Sequence, residues 1–491
     1  MSNPTARSQL SALAAVAACL IGLAPSMATA QEEMPPSAPR LPPSPSTTIP
    51  DDQGLDDPKD SGIDERFIFG TYGRVVSGSD LRGGTGRQVR LIAHPPRLLE
   101  EAYAELDFGY LHDVKETDAK FYTRTTLAVG PDLFHSTGQF NATIAVRNLY
   151  LEVRDAIVPG LSVWGGSRMY RGDDVYLLDF WPMDEQNTVG AGIGYQIDRD
   201  TNVRLHVGLN RLDNDFQRQF ITVVGDDLET REVLFVDRQR AVASLRVERH
   251  NDLTGSTRLK VIPYGEVHGI SSAVMRDEED QDEELLPSDF GYLVGLELGV
   301  YGYGRFAYTN LFFRYGQGLA AFDELAVPFG LNSDKQASGA RELKIAVSSN
   351  FETQDFGLLL GGYTRYFEDA DPNVFDRDDA WEVGAAFRPA WFITRHVHLL
   401  AEGNMQYLRP NGISDETAQQ EIPMVFEAAL MPSLTLDRGS YSRPQLRLIY
   451  AITLLNDSAR LTYAPDDPLR ARGVRHFLGF GVEWWFNSSR G

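Results

Sequence analysis

The chain has a single cysteine, Cys19. It falls inside an apolar run near the amino terminus, so the rest of the chain can form no disulfide framework and no thiolate metal site. Basic residues are scarce: 46 Lys and Arg stand against 69 Asp and Glu, a net charge of −23, which argues against nucleic acid as a partner. Beyond residue 30 there is no apolar run long enough for a spanning helix, which needs about 20 residues. A Gly-rich phosphate loop and a nucleophile elbow are missing as well, so no cofactor is expected and the chain does not read as an enzyme. His396 and His398 share a strand face, but with no third ligand in view they read as rim or lumen histidines rather than a metal site.

What is present begins with a leader. Arg7, the apolar stretch 10–23 and Ala28-Thr29-Ala30 before Gln31 have the form of a cleaved secretory signal over residues 1–30. A second region, 31–66, carries Pro35, Pro36, Pro39, Pro42, Pro43, Pro45, Pro50 and Pro58. It cannot build a core and reads as an extended, disordered periplasmic arm. Residues 487–491 form a short carboxy-terminal extension.

Between these, residues 67–486 repeat one theme: apolar and polar or small residues alternate over about ten positions, followed by a break rich in Gly, Asp, Asn or Pro. Val203, Leu205, Val207 and Leu209 alternate with Arg204, His206, Gly208 and Asn210. Leu446, Leu448, Tyr450, Ile452 and Leu454 do the same, as do Leu478, Phe480, Val482, Trp484 and Phe486. A soluble sandwich also alternates. Strands longer than the usual five or six residues, the 44 glycines and the aromatic finish Trp484-Trp485-Phe486 point instead to an all-β transmembrane antiparallel barrel of about 16 to 19 strands with an aqueous lumen. Val163, Leu205, Leu446 and Phe480 are expected to face lipid, and Arg204, Lys344 and Glu483 the lumen. Pro389, Pro432 and Pro444 read as strand ends or bulges, and the acidic run 276–284 as a solvated extracellular loop.

The segment 163–181, VWGGSRMYRGDDVYLLDFW, concentrates rings, guanidinium groups and carboxylates at a strand-to-loop transition. Trp164, Arg168 and Tyr170 share one face, and Asp173, Asp174, Asp179, Phe180 and Trp181 follow. That mixture suits sugars, whose C–H faces rest on rings and whose hydroxyls bond best to charged partners.

Phe69-Gly-Thr-Tyr-Gly-Arg74, Tyr103-Ala-Glu-Leu106, the W-x-G-x-R-x-Y and D-V-x-x-x-D-F patterns of 164–181, Phe387-Arg-Pro389, Ser442 to Arg447 and the finish Glu483 to Phe486 come in an order that resembles the maltoporin family of sugar-selective outer-membrane channels. The resemblance implies an 18-stranded barrel assembled as a homotrimer, with a third loop folded inward to constrict each pore. It also implies an aromatic path along which oligosaccharides slide, flanked by paired acids and bases. Carried over, the path uses Tyr72, Tyr103 and Trp485, with Arg74, Glu105, Asp174 and Asp179 as polar companions and Trp181 in place of a constriction tyrosine.

There are departures. Gly172 stands where the family has a constriction arginine, and Arg171 is the substitute candidate. Two slide aromatics align with Ile393 and Leu311; Trp391 and Phe313, two residues away in the same phase, are the expected replacements. The aromatic from a neighbouring subunit has no clear counterpart, with Phe134 and Phe140 as candidates. Arg147 aligns with a family arginine, but its parity groups it with Leu149 and Leu151. The expected function is facilitated diffusion of carbohydrates, with oligosaccharide and outer-membrane lipid as partners. The alternative is a general-diffusion porin for small hydrophilic solutes.

Overall fold

In the computed structural model the described residues are 65–487 apart from 115–116, 131–143, 215, 225–228, 277–282, 323–324, 374–376 and 415. The leader, nearly all of the proline-rich arm, Phe134, Phe140, the centre of the acidic run and residues 488–491 lie outside them.

The alternating segments form strands β1 (Glu65–Ser79), β2 (Tyr103–Asp113), β3 (Lys120–Val129), β4 (Ile144–Arg154), β5 (Leu161–Arg171), β6 (Glu185–Asp198) and β7 (Thr201–Asn210). A loop hairpin of β8 (Arg218–Val224) and β9 (Thr230–Asp237) precedes β10 (Arg240–Thr254) and β11 (Thr257–Ile270). A second hairpin, β12 (Ala273–Arg276) and β13 (Glu283–Leu286), leads to β14 (Asp289–Tyr301), β15 (Tyr308–Gly318), β16 (Arg341–Glu352), β17 (Phe356–Glu368) and β18 (Ala380–Phe392). The set ends with β19 (Val397–Pro410), β20 (Met424–Thr435), β21 (Gln445–Leu455) and β22 (Val474–Asn487).

Leaving out the two hairpins, the strands make one 18-stranded antiparallel sheet. It closes through β1 and β22, with Gly70 opposite Asn487 and Ser79 opposite Leu478. Closure removes every sheet edge, as lipid demands, because no backbone group is then left without a partner. Turns as short as 199–200 and 255–256 lie at one rim and loops as long as 80–102 and 211–239 at the other. In outer-membrane barrels these are the periplasmic and extracellular ends.

Parity assigns the faces as expected: Val163, Leu205, Leu446 and Phe480 are exposed to the outside, while Lys344 and Glu483 are buried inside. Two prolines depart from expectation. Pro389 and Pro432 sit within β18 and β20, not at their ends. The neighbouring ladder is interrupted beside each, between Phe387 and Ala390 and between Leu430 and Ser433, where proline has no N–H to give.

The third loop, 172–184, folds into the barrel as a single 3-10 turn, Tyr176–Leu178, tied by Val175 N–H to Phe180 carbonyl at 2.8 Å. Val175, Tyr176, Leu177, Leu178, Phe180 and Met183 pack against Leu293, Phe312, Ala346, Leu359 and Ala386 from the wall. This is a hydrophobic core inside a channel.

Candidate functional site

The first loop enters the lumen as well, which the sequence reading did not anticipate. Leu91 N–H donates to Gln406 at 2.9 Å, Ala93 N–H to Glu382 at 3.1 Å and Arg97 N–H to the Leu177 carbonyl at 3.0 Å. The His94 ring stacks on Phe180 at 4.1 Å. Leu98 and Leu99 pack on Ala390, Phe392, Met431 and Ile449. The signal lay in the apolar residues Val89, Leu91, Ile92, Leu98 and Leu99, too many for a solvated loop.

Where the two loops meet β1, β21 and β22, the buried Glu483 gathers charge. It accepts from Tyr176 Oη at 2.8 Å, Arg443 Nε at 2.9 Å, Arg97 Nη2 at 3.1 Å and Tyr72 Oη at 3.4 Å, with Arg447 at 3.5 Å. Arg97 also donates to Tyr72 Oη at 2.7 Å. Beside this centre, Arg74 pairs with Asp179 at 2.8 Å and with Glu100 at 3.3 Å, and Arg97 with Glu100 at 3.0 Å.

Asp179 has φ 48°, a left-handed turn that reverses the chain after the 3-10 turn and leaves the carboxylate against Arg74. Burial opposes its ionisation, yet Arg74 and then Arg97 hold the carboxyl well below the usual range. Glu100 goes the other way: burial outweighs Arg97 and Arg74 and pushes it up to about 7.

Tyr72 and Tyr103 have ring centroids 6.1 Å apart, with the Arg74 guanidinium 5.2 Å from the Tyr103 ring. Trp485 meets Tyr176 edge-on at 6.2 Å and carries Arg443 over its face at 4.4 Å. Tyr103 bonds to Glu105, and Arg147 to both. Arg147 reaches the lumen despite its parity because the β3–β4 register shifts between Thr126 and Leu127, leaving it as the extra residue of a bulge. Arg171 lies 3.6 Å over the Trp181 ring and pairs with Glu185.

One expectation is corrected. Phe313 and Trp391 are 39% and 44% exposed on the outer face, whereas Phe312 and Phe392 point inward. Asp174 is buried at 0% exposure, as Tyr72 and Glu105 are at 1%. At Gly172, a Cβ would come within 2.4 Å of Arg246 Nη1 and Asp184 Oδ1. Arg246 from β10, bonded to Asp184 at 2.9 Å, therefore borders the space beside Gly172 as well.

The chain belongs to the LamB porin family, whose model matches residues 67–486. It is an outer-membrane porin, and family and fold point to a channel rather than an enzyme. No curated protein matches it in sequence. Among solved structures it is similar to Pseudomonas aeruginosa OccD3 (OpdP), at 10% identity and TM-score 0.45 over 92% of this chain and 100% of that one. Acinetobacter baumannii OccAB1 matches at 8% identity and TM-score 0.44 over 87% and 97% of the two chains. Pseudomonas aeruginosa OprD matches at 8% identity and TM-score 0.41 over 87% and 94%.

Proposed function

We propose that this porin carries carbohydrates by facilitated diffusion. The supporting observation is the row Tyr72, Tyr103 and Trp485 on one lumen wall, bordered by the pairs Arg74–Asp179 and Arg147–Glu105. Rings take the apolar faces of a sugar, and a neighbouring acid and base accept from and donate to the same hydroxyl edge. Each contact is weak enough to release the solute to the next. The chain is further proposed to be exported by a cleaved leader over 1–30, to carry a periplasmic arm from 31 up to 64, since Glu65 and Arg66 belong to β1, and to assemble as a homotrimer. Exposed Ser77 and Thr123 on the outer face, where lipid favours apolar groups, suit contact with another copy.

A second reading, a general-diffusion porin, is favoured by one observation: Phe313 and Trp391 face lipid, so the path does not continue beyond Trp485 at those positions. Planar-bilayer conductance titrated with malto-oligosaccharides separates the two. In the carbohydrate channel, sugar blocks the ion current, and Trp485→Ala, losing about 1 kcal/mol of stacking, weakens the block roughly fivefold. Trp391→Ala leaves it unchanged. A wild-type current that no sugar blocks at millimolar concentration supports the general-diffusion porin.

A further inference from the structure

We propose that the periplasmic turn 436–444, between β20 and β21, is a strut that folds up into the lumen, holds the third loop from below and covers one half of the exit, so that solutes leave past β4 to β11. This holds for any solute the porin carries. The turn is the longest at its rim, where about two residues can join antiparallel neighbours, and its middle does not hang in water. Gly439 and Ser440 are buried, and Arg443 is only 8% exposed.

The turn crosses the mouth of the barrel and is tied on the far side. Ser440 N–H donates to Glu352 of β16 at 3.0 Å. Arg438 pairs with Asp355 at 3.2 Å, and its carbonyl accepts from Arg305 at 3.4 Å. Gly357 of β17 leaves the room, because a Cβ there would run into Ser440 Oγ. Gly439, with φ 153°, supplies a backbone conformation that other residues rarely adopt.

Two side chains of the turn reach the third loop. The Tyr441 ring stacks 6.5 Å from that of Tyr308 on β15, meets Tyr176 edge-on at 5.4 Å and joins its hydroxyl to that of Tyr308. Arg443 donates to Glu483 at 2.9 Å and to the Tyr176 hydroxyl, with its guanidinium 4.4 Å from the Trp485 ring centroid. Tyr176, in the single 3-10 turn of the loop, is thus wedged by one ring and held by one charge-assisted bond.

The two halves of the exit differ accordingly. Beneath the third loop, the inward-facing Asn310, Ser348, Asn350, Glu352 and Gln445 are all buried, although such groups ordinarily face water. Across the lumen, Arg154, Glu248, His250 and Arg258 keep 20–23% of their side chains exposed. The covered wall would wet if its cover were removed: Asn350 Oδ1 is buried without a hydrogen-bond partner and would gain one from water.

The test introduces one cysteine at a time. Cys19 is the only one in the natural chain, so the parent channel gives the background. Ser348→Cys puts a thiol on the covered half, and Ser162→Cys puts one in the cavity on the open half. A sulfonated, membrane-impermeant thiol reagent added from the periplasmic side should modify Ser348→Cys at least tenfold more slowly than Ser162→Cys. Replacing 437–442 by an Asn-Gly turn should bring the two rates within threefold of each other, and should raise single-channel conductance and current noise as the third loop loosens. Tyr441→Ala should speed Ser348→Cys modification at least threefold and raise the noise, and it stands alone if the shortened barrel does not insert. Tyr441→Phe, which keeps the ring, should stay within twofold of the parent. Equal modification rates with the turn intact overturn the cover. Parent-like conductance and noise in a folded barrel lacking the Tyr441 ring or the turn overturn the strut.

Discussion

Along β14 to β18 the barrel turns Leu293, Phe312, Ala346, Leu359 and Ala386 toward its interior, whereas along β1, β21 and β22 it turns Tyr72, Arg74, Arg447, Glu483 and Trp485. The third loop lies between the two walls and touches both. Its apolar residues, Val175, Leu177, Leu178 and Phe180, pack on the first wall. Its polar ones, Tyr176 Oη and Asp179, bond to the second. The first wall anchors the constriction mainly by burial, which is non-directional, with Arg314 donating to the Pro182 carbonyl at 3.4 Å, and the second by charge-assisted bonds, which fix atoms in position.

The largest test removes one anchor from each side. Glu483→Ala leaves Arg97, Arg443 and Arg447 without their shared carboxylate, and removal of one partner from a buried ionic cluster costs about 3–5 kcal/mol. Leu177→Ala, on the apolar side, costs about 2–5 kcal/mol for the lost burial and the cavity left behind. Both should lower the denaturant midpoint of the folded barrel and raise conductance as the loop loosens. Only Glu483→Ala should also move the reversal potential in a salt gradient, toward anion preference, as the loosened loop opens Arg97, Arg443 and Arg447 to permeating ions. Equal reversal potentials in the two variants would show that the walls do not divide these roles.

A smaller effect comes from pH. With its carboxyl pushed up to about 7 by burial, Glu100 is ionised at pH 8 and protonated at pH 5.5. Below pH 7 its charge is lost beside Arg74 and Arg97, so the mouth becomes more positive and cation preference should fall. The sign for stability follows from the same shift. The folded pKa lies above the ordinary 4.5, so the folded state binds this proton more tightly, and the group's contribution improves as pH falls from about 7 toward 4.5. Glu100→Gln should remove the pH dependence of the reversal potential between 8 and 5.5. If the dependence persists in that variant, another group titrates.

The contrast between the walls also explains what could be read from the chain. Where one face meets lipid and the other water, as on β7 with Leu205 and His206, alternation assigns both. Where an inner position packs on a loop, it can be as apolar as the lipid-facing position beside it, and parity there loses its meaning. Phe312 and Phe313 on β15 are adjacent rings, one buried against the third loop and one in lipid, and only the fold separates them. Arg147 was obscured differently, because a bulge breaks the period of two. Arg97, Glu100, Arg443 and Tyr176 converge on β1 and β22 from distant loops. Nothing local marks a cluster whose members are joined only by closure.

The smallest expected effect separates two acids of the same loop. Asp179 has 18% of its side chain exposed and pairs with Arg74, which is itself 16% exposed, so both groups border the aqueous path. Asp179→Asn keeps the side-chain volume and removes the charge, leaving Arg74 paired with Glu100 alone. Selectivity should shift modestly toward anions, because the exposed share of each charge is small and salt screens it. Asp174, with 0% exposure, is shut away from permeating ions. Asp174→Asn should therefore leave the reversal potential at the wild-type value, and any effect should fall on the denaturant midpoint. A reversal potential that moves in Asp174→Asn and stays fixed in Asp179→Asn would mean that the path runs on the other side of the third loop, along the wall of β14 to β18.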